Sequence, residues 1–273
     1  MLAGITLVLA LVGGLIPIFS AMNNNRVLLH RATGIAAGIL LASALLVVIP
    51  EGFELAMGEH DEGAHEEEEG LEGLFIGGAI LSGFMLMLLL EGSGIGHAIH
   101  EEHHHHDDEH GHSHVHHQTA PFLLLFGLSA HAAADGLAIG SAAAATSVAV
   151  TFMVAFAVIV HKMPAAFSLG IFAMHQYEQR SKAIRDVVLF SLATPIMIII
   201  SAYFFQGLAT ETIGLVLLFA GGTFLYVATV DTLPDIHNPE TGTRAMIDVF
   251  IGALILSVIL VLAITSGLIE HGH

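Results

Sequence analysis

The chain has 273 residues, 55% of them hydrophobic and only 12% charged, about half the charged fraction of a soluble domain. A formal charge of -18 with only seven Lys and Arg excludes a nucleic-acid binder, which needs clustered basic residues. Zero Cys excludes disulfides, thiolate zinc sites and iron-sulfur clusters, so any metal chemistry rests on the 20 His and the 25 Asp and Glu.

Long charge-free stretches alternate with short polar clusters, the pattern of a polytopic membrane protein. The first stretch, residues 2–22, lacks a basic start and runs into Asn23, Asn24 and Asn25 rather than a small-residue cleavage site. It therefore reads as a retained helix with Met1 as the expected N-terminus, not a signal peptide. The second stretch is 33–50, followed by a polar loop, 51–72, with ten acidic residues, His60 and His65. The third, 73–90, leads into a loop at 91–119 holding eleven His between His97 and His117. Of these, His103, His104, His105, His106, His110, His112, His114, His116 and His117 form its densest part, interleaved with Asp107, Asp108 and Glu109. A solvated, disordered linker would account for the polarity of either loop. So many imidazoles exceed what solubility needs, and neutral imidazole binds Zn, Cu, Ni and Fe, so the second loop reads as a metal reservoir or sensor. Between Gln118 and Tyr177 the only charges are Asp135 and Lys162, leaving room for two spans with a turn near Thr146 and Ser147. Residues 187–210, 212–230 and 249–270 complete eight all-α spans, each close to the ~20 residues that cross a bilayer.

With eight spans, odd-numbered loops share one side of the membrane. Arg26 and Arg31 fall in the first loop, Arg180, Lys182 and Arg185 in the fifth, and Arg244 in the seventh. All six basic residues outside the spans are thus on one side, which the positive-inside rule makes cytosolic. Both termini and the acidic loop are then outside, and the His-rich loop is in the cytosol.

Asp135 and Lys162 are ionisable groups at membrane depth, costly enough to mark a functional site. His131 lies one helical turn before Asp135 on the same face, and His161 directly precedes Lys162 on the next span. Two imidazoles and a carboxylate make a three-ligand zinc-type site with an open position. The competing reading is a buried polar cluster that only joins two helices. Ala132, Gly136, Gly140 and Ala144 form a small-residue stripe suited to close helix packing, and Pro164 frees a carbonyl within the fifth span. Glu91 closes the third span, Asp231 and Asp235 the seventh, as candidate ligands at the cytosolic exit or as acids solvated by headgroup water. Pro50-Glu51 and Pro234-Asp235 end helices of opposite direction, a faint inverted-repeat signal.

The runs His131-Ala132-Ala133-Ala134-Asp135-Gly136 and His161-Lys162-Met163-Pro164-Ala165-Ala166-Phe167 resemble the fourth and fifth helices of the ZIP (ZRT/IRT-like) divalent-metal transporters. In particular they resemble the subgroup with HKxPAAF on the fifth helix and TFLYVATV on the seventh, here residues 223–230. The resemblance spans the chain and implies a transport site of His131, Asp135 and His161 for Zn2+ and related Fe2+, Mn2+ or Cd2+, with no organic cofactor. It also implies exit ligands at Glu91, Asp231 and Asp235, a rigid group of helices sliding against a scaffold, and frequent homodimers. Commoner members carry H-N-x-P-E-G and H-E-x-P-H-E and bridge two metals. Here Ala132, Ala134, Asp135, Lys162 and Ala165 depart from those motifs. Because Asp135 and Lys162 cancel, the expectation is one metal per site, with the Lys162 ammonium replacing the second cation.

Three functions remain to be compared: Zn2+ uptake across the cell membrane, or out of an organelle lumen; export of the cation-diffusion type, usually built on six spans; and intramembrane metal-dependent hydrolysis. The last lacks H-E-x-x-H and a spare carboxylate beside the two His.

Overall fold

The computed structural model describes residues 1–20, 26–57, 66–90, 121–144, 148–177, 179–230 and 242–266. Among them it is entirely helical: α1 (Leu2–Phe19), α2 (Arg26–Ser43), a π-helical turn (Ala44–Val48), α3 (Ile49–Met57), α4 (Glu66–Leu90), α5 (Pro121–Ala144), α6 (Val148–Gln176), α7 (Arg180–Phe204), α8 (Thr210–Val230) and α9 (Gly242–Thr265). Among the described residues, seven stretches are long and apolar enough to cross a membrane: Leu2–Phe19, His30–Met57, Gly73–Leu90, Val148–Met174, Arg180–Phe204, Thr210–Val230 and Gly242–Thr265. The chain is thus a multi-pass membrane protein. α5, with 24 residues, has the length to span as well.

Several helices overrun the charge-free stretches. Charge ends a membrane span but not a helix, whose polar turns can continue into the interface. The second span shows this best. Pro50 reads in sequence as an end, yet the helix continues to Met57. A proline lacks an N–H and clashes with the preceding turn, and the wider π turn immediately before it reduces that conflict. Glu51 is consequently carried on the helix and buried.

The helices fall into two groups. α1, α5, α6 and α7 pack on one another, and α2, α3, α4, α8 and α9 form the other group, with α2 against α6 and α5 against α8 at the boundary. Close approach within each group uses glycine. Gly38 faces the Val249 carbonyl, Gly83 that of Phe219, Gly136 that of Thr194 and Gly13 that of Met163. Among the described glycines, none makes such an approach across the boundary. Apolar side chains fill the boundary instead, including Leu40, Val47, Ile139, Val158, Leu217 and Phe224. Large hydrophobics such as Phe19, Leu74, Phe250 and Leu262 point outward, as lipid contact requires.

The basic residues gather at one end. Arg31 on α2 meets Asp248 on α9 at 3.4 Å, and Thr33 lies 3.4 Å from Ser168 near the end of α6. The α6–α7 turn follows, where Lys182 sits 5.8 Å from the Tyr177 ring and Arg185 pairs with Asp186 at 2.8 Å. Burial pushes the Tyr177 phenol up to about 12, helped by its hydrogen bond to Asp186, so it stays a neutral donor.

Candidate metal site

Helical register sets the first pair. On α5, His131 and Asp135 are one turn apart on one face, their Nε2 and Oδ1 atoms separated by 3.6 Å. On α6, His161 points Nε2 at the same Oδ1 from 3.2 Å. One ligand atom from each of the three residues lies within 4.8 Å of the others. Four bonds of 2.0–2.1 Å in a tetrahedron put ligand atoms about 3.3 Å apart. The two distances to Asp135 already approach that, so the donor set fits a Zn-type ion with modest closing of the His–His edge.

Hydrogen bonding fixes how the ring nitrogens face. His161 Nδ1 lies 2.9 Å from the Ala157 carbonyl, which can only accept, so Nδ1 carries the proton. In the neutral ring, Nε2 therefore presents a lone pair to a carboxylate oxygen, an arrangement that a cation between them relieves. His131 Nδ1 is buried and, among the described residues, has no hydrogen-bond partner.

Lys162 balances the charge. It is fully buried and donates to Asp135 Oδ2 at 2.9 Å and to Thr194 Oγ1 at 2.5 Å. Thr194 in turn donates to the Ala132 carbonyl at 2.7 Å, and the Phe190 ring centroid lies 4.6 Å from Nζ. The carboxylate is thereby shared, with Oδ2 held by Lys162 and Oδ1 turned to the imidazoles. Phe224 of α8 packs edge-on to both His rings, at 5.5 and 5.6 Å between centroids. His131, Asp135, His161 and Lys162 belong to one helix group and Phe224 to the other, so the site lies on the boundary between them.

Sequence alone did not find Thr194, Phe190 or Phe224. Phe224 sits within the 223–230 run, so its position was marked but its role was not. The expected small-residue stripe is placed against α7, with Gly136 and Gly140 facing Thr194, Ile198 and Ser201. α6 continues through Pro164 without interruption. Glu91, Asp231, Asp235 and the loop residues His103, His104, His105, His106, His110, His112, His114, His116 and His117 lie outside the described residues.

The profile of the ZIP Zinc transporter family matches residues 1–118 and 92–260. Zinc transporter ZIP9 of Xenopus tropicalis is 31% identical over 297 aligned residues, which cover 96% of this chain and 94% of that protein. Zinc transporter ZIP9 of Micropogonias undulatus is 30% identical with the same coverage, and Protein zntD of Dictyostelium discoideum is 32% identical over 46% of this chain and 20% of that protein. The alignment runs through both helix groups and through the four buried polar residues between them, and on that extent the chain belongs to the ZIP zinc transporter family.

Proposed function

We infer that this transporter, which is not an enzyme, carries Zn2+ across the cell membrane into the cytosol through His131, Asp135 and His161, one ion at a time. The observation that carries this reading is the convergence of two buried imidazoles and one buried carboxylate, with one ligand atom of each within 4.8 Å of the others. Fe2+, Mn2+ and Cd2+ share the same ligand preferences closely enough to compete.

Lys162 stands where a second cation would otherwise be needed. With both imidazoles neutral, the resting site sums to zero, and each Zn2+ that enters adds two positive charges to a low-dielectric place. A second ion would add two more with no carboxylate left to meet them. Two ions bound at this site, in protein lacking residues 97–117, would overturn the single-ion reading.

Eight spans place both termini outside, the acidic segment at the entrance and the His-rich loop at the exit. Acidic residues raise the local cation concentration outside, and imidazoles accept the released ion within. Glu91, Asp231 and Asp235 serve as exit ligands. Two glycine-locked groups with a side-chain-packed boundary through the site support relative sliding as the route of alternating access. Membership in this family leaves the cation-diffusion exporter and the hydrolase without support.

The test is initial-rate uptake of radioactive zinc in cells, with His131→Ala and His161→Ala each made in protein lacking residues 97–117. Flux should fall at least tenfold in both at equal expression. Undiminished flux in both would make the cluster structural and sink the reading.

A further inference from the structure

The two ligand helices, α5 and α6, pack against α7 on one face and against α8 and α2 on the other. On the α7 face, Asp135 Oδ2 is engaged by Lys162, which Thr194 and Phe190 of α7 hold in place. On the α8 face, Phe224 meets both imidazoles. The ring centroids of Phe224, His131 and His161 form a nearly equilateral triangle with sides of 5.5, 5.6 and 5.8 Å, and the Phe224 ring stands at 72° and 76° to the two imidazole planes. Phe224 is wholly buried. Nearby hydroxyls of its helix group are committed to carbonyls: Thr223 donates to Ala220 at 2.7 Å, and Ser43 to Ile39 at 2.8 Å and Ala157 at 3.4 Å. The three members of the metal-binding group all belong to α5 and α6.

We propose that Phe224 stands at the fourth coordination position of the ion and denies it to a ligand. A tetrahedral ion takes its fourth ligand on the side away from the first three. With Asp135 backed by α7 and one His carried on each of α5 and α6, that side faces α8. Four protein ligands make a closed, structural zinc site, whereas three make one that can exchange its ion. A ligand on α8 would also bond the ion to both helix groups, and every movement between them would then break a metal–ligand bond. The apolar ring closes the site against water and leaves only weak edge-on contacts to part. Phe224 is thus a positioning residue for transport, an inference that rests on His131, Asp135 and His161 holding the ion.

The test uses the full chain, whose lack of native cysteine gives a thiolate at position 224 a signature of its own. Purified Phe224→Cys with Co2+, a spectroscopic substitute for Zn2+, should show a thiolate-to-cobalt charge-transfer band and lose it when His131→Ala is added. Leu225→Cys, one residue along α8, should give no such band. Radioactive zinc uptake by Phe224→Cys should fall at least about tenfold below that of Phe224→Ala, which loses the ring but gains no ligand; about tenfold is the lower end of what even an outer-shell partner of a metal ligand is worth. Phe224→His, nearer the native ring in size, should fall at least about tenfold below wild type and decides the matter if the smaller side chains disturb folding. Four results would each overturn the proposal: no band from folded Phe224→Cys, a band that survives His131→Ala or appears equally in Leu225→Cys, uptake by Phe224→Cys equal to that of Phe224→Ala, or wild-type uptake by Phe224→His. Undiminished uptake in His131→Ala alone would instead sink the transport site itself, so the two failures are told apart.

Discussion

Lys162 is wholly buried, and its three neighbours, Asp135, Thr194 and Phe190, divide the work of holding it there. Thr194 is the neighbour with two duties, accepting from Lys162 and donating to Ala132. Thr194→Val should therefore lower stability by about 1–3 kcal/mol, the cost of leaving buried polar groups unpaired, and Thr194→Ser should recover most of it. Thermal melting in detergent reads both; equal melting of all three proteins would show the hydroxyl to be idle. Lys162→Met is harsher, because it strands the Asp135 carboxylate at a cost of about 3–5 kcal/mol. Added Zn2+ should then raise the melting temperature of Lys162→Met more than that of wild type, since the ion now supplies the missing charge. Equal zinc shifts would remove Lys162 from the charge count. His131, Asp135 and His161 were legible in sequence because ionisable groups at helical spacing stand out in an apolar stretch. Thr194 was not, since a threonine in such a helix ordinarily bonds its own preceding turn, and only the packing of α7 on α5 and α6 turns it to Lys162.

Among the helices, the seven stretches able to cross a membrane lie where the sequence put spans, but how far each helix runs was not legible. Pro50 is the clearest case: local rules end a helix there, and only the π turn before it lets the chain continue to Met57. Glycines carry no sign of their partners either. On α4, Gly83 faces the Phe219 carbonyl of α8 and has no room for a Cβ, whereas a Cβ on Gly77 meets nothing within 4 Å. Gly83→Val should force α4 and α8 apart and cost roughly 1–3 kcal/mol or more. Gly77→Ala should be neutral or stabilising by about 0.5–1 kcal/mol, because alanine restricts the unfolded chain and favours helix. Unfolding both variants in the same detergent separates the two positions; similar behaviour would mean that α4 and α8 are not held by backbone contact.

On the scale of the whole molecule, one end collects Arg31, Lys182, Arg185 and Arg244, through the Arg31–Asp248 pair between α2 and α9, the approach of Thr33 to Ser168 and the α6–α7 turn. Counting spans had put these residues on one side, and that much was legible because charge is excluded from the bilayer whatever the packing. Which compartment they face is a separate matter, fixed by the membrane's asymmetry and not by any contact within the chain. The absence of native cysteine makes it directly measurable. Gln179 precedes α7 and Gln206 follows it, both exposed, with 25 helical residues between them spanning about 37 Å. In intact cells an impermeant maleimide should label Gln206→Cys and should reach Gln179→Cys only after permeabilisation. The opposite pattern would put the basic end and the His-rich loop outside, and the ion held by His131, Asp135 and His161 would then leave the cytosol along the same path by which it is proposed to enter.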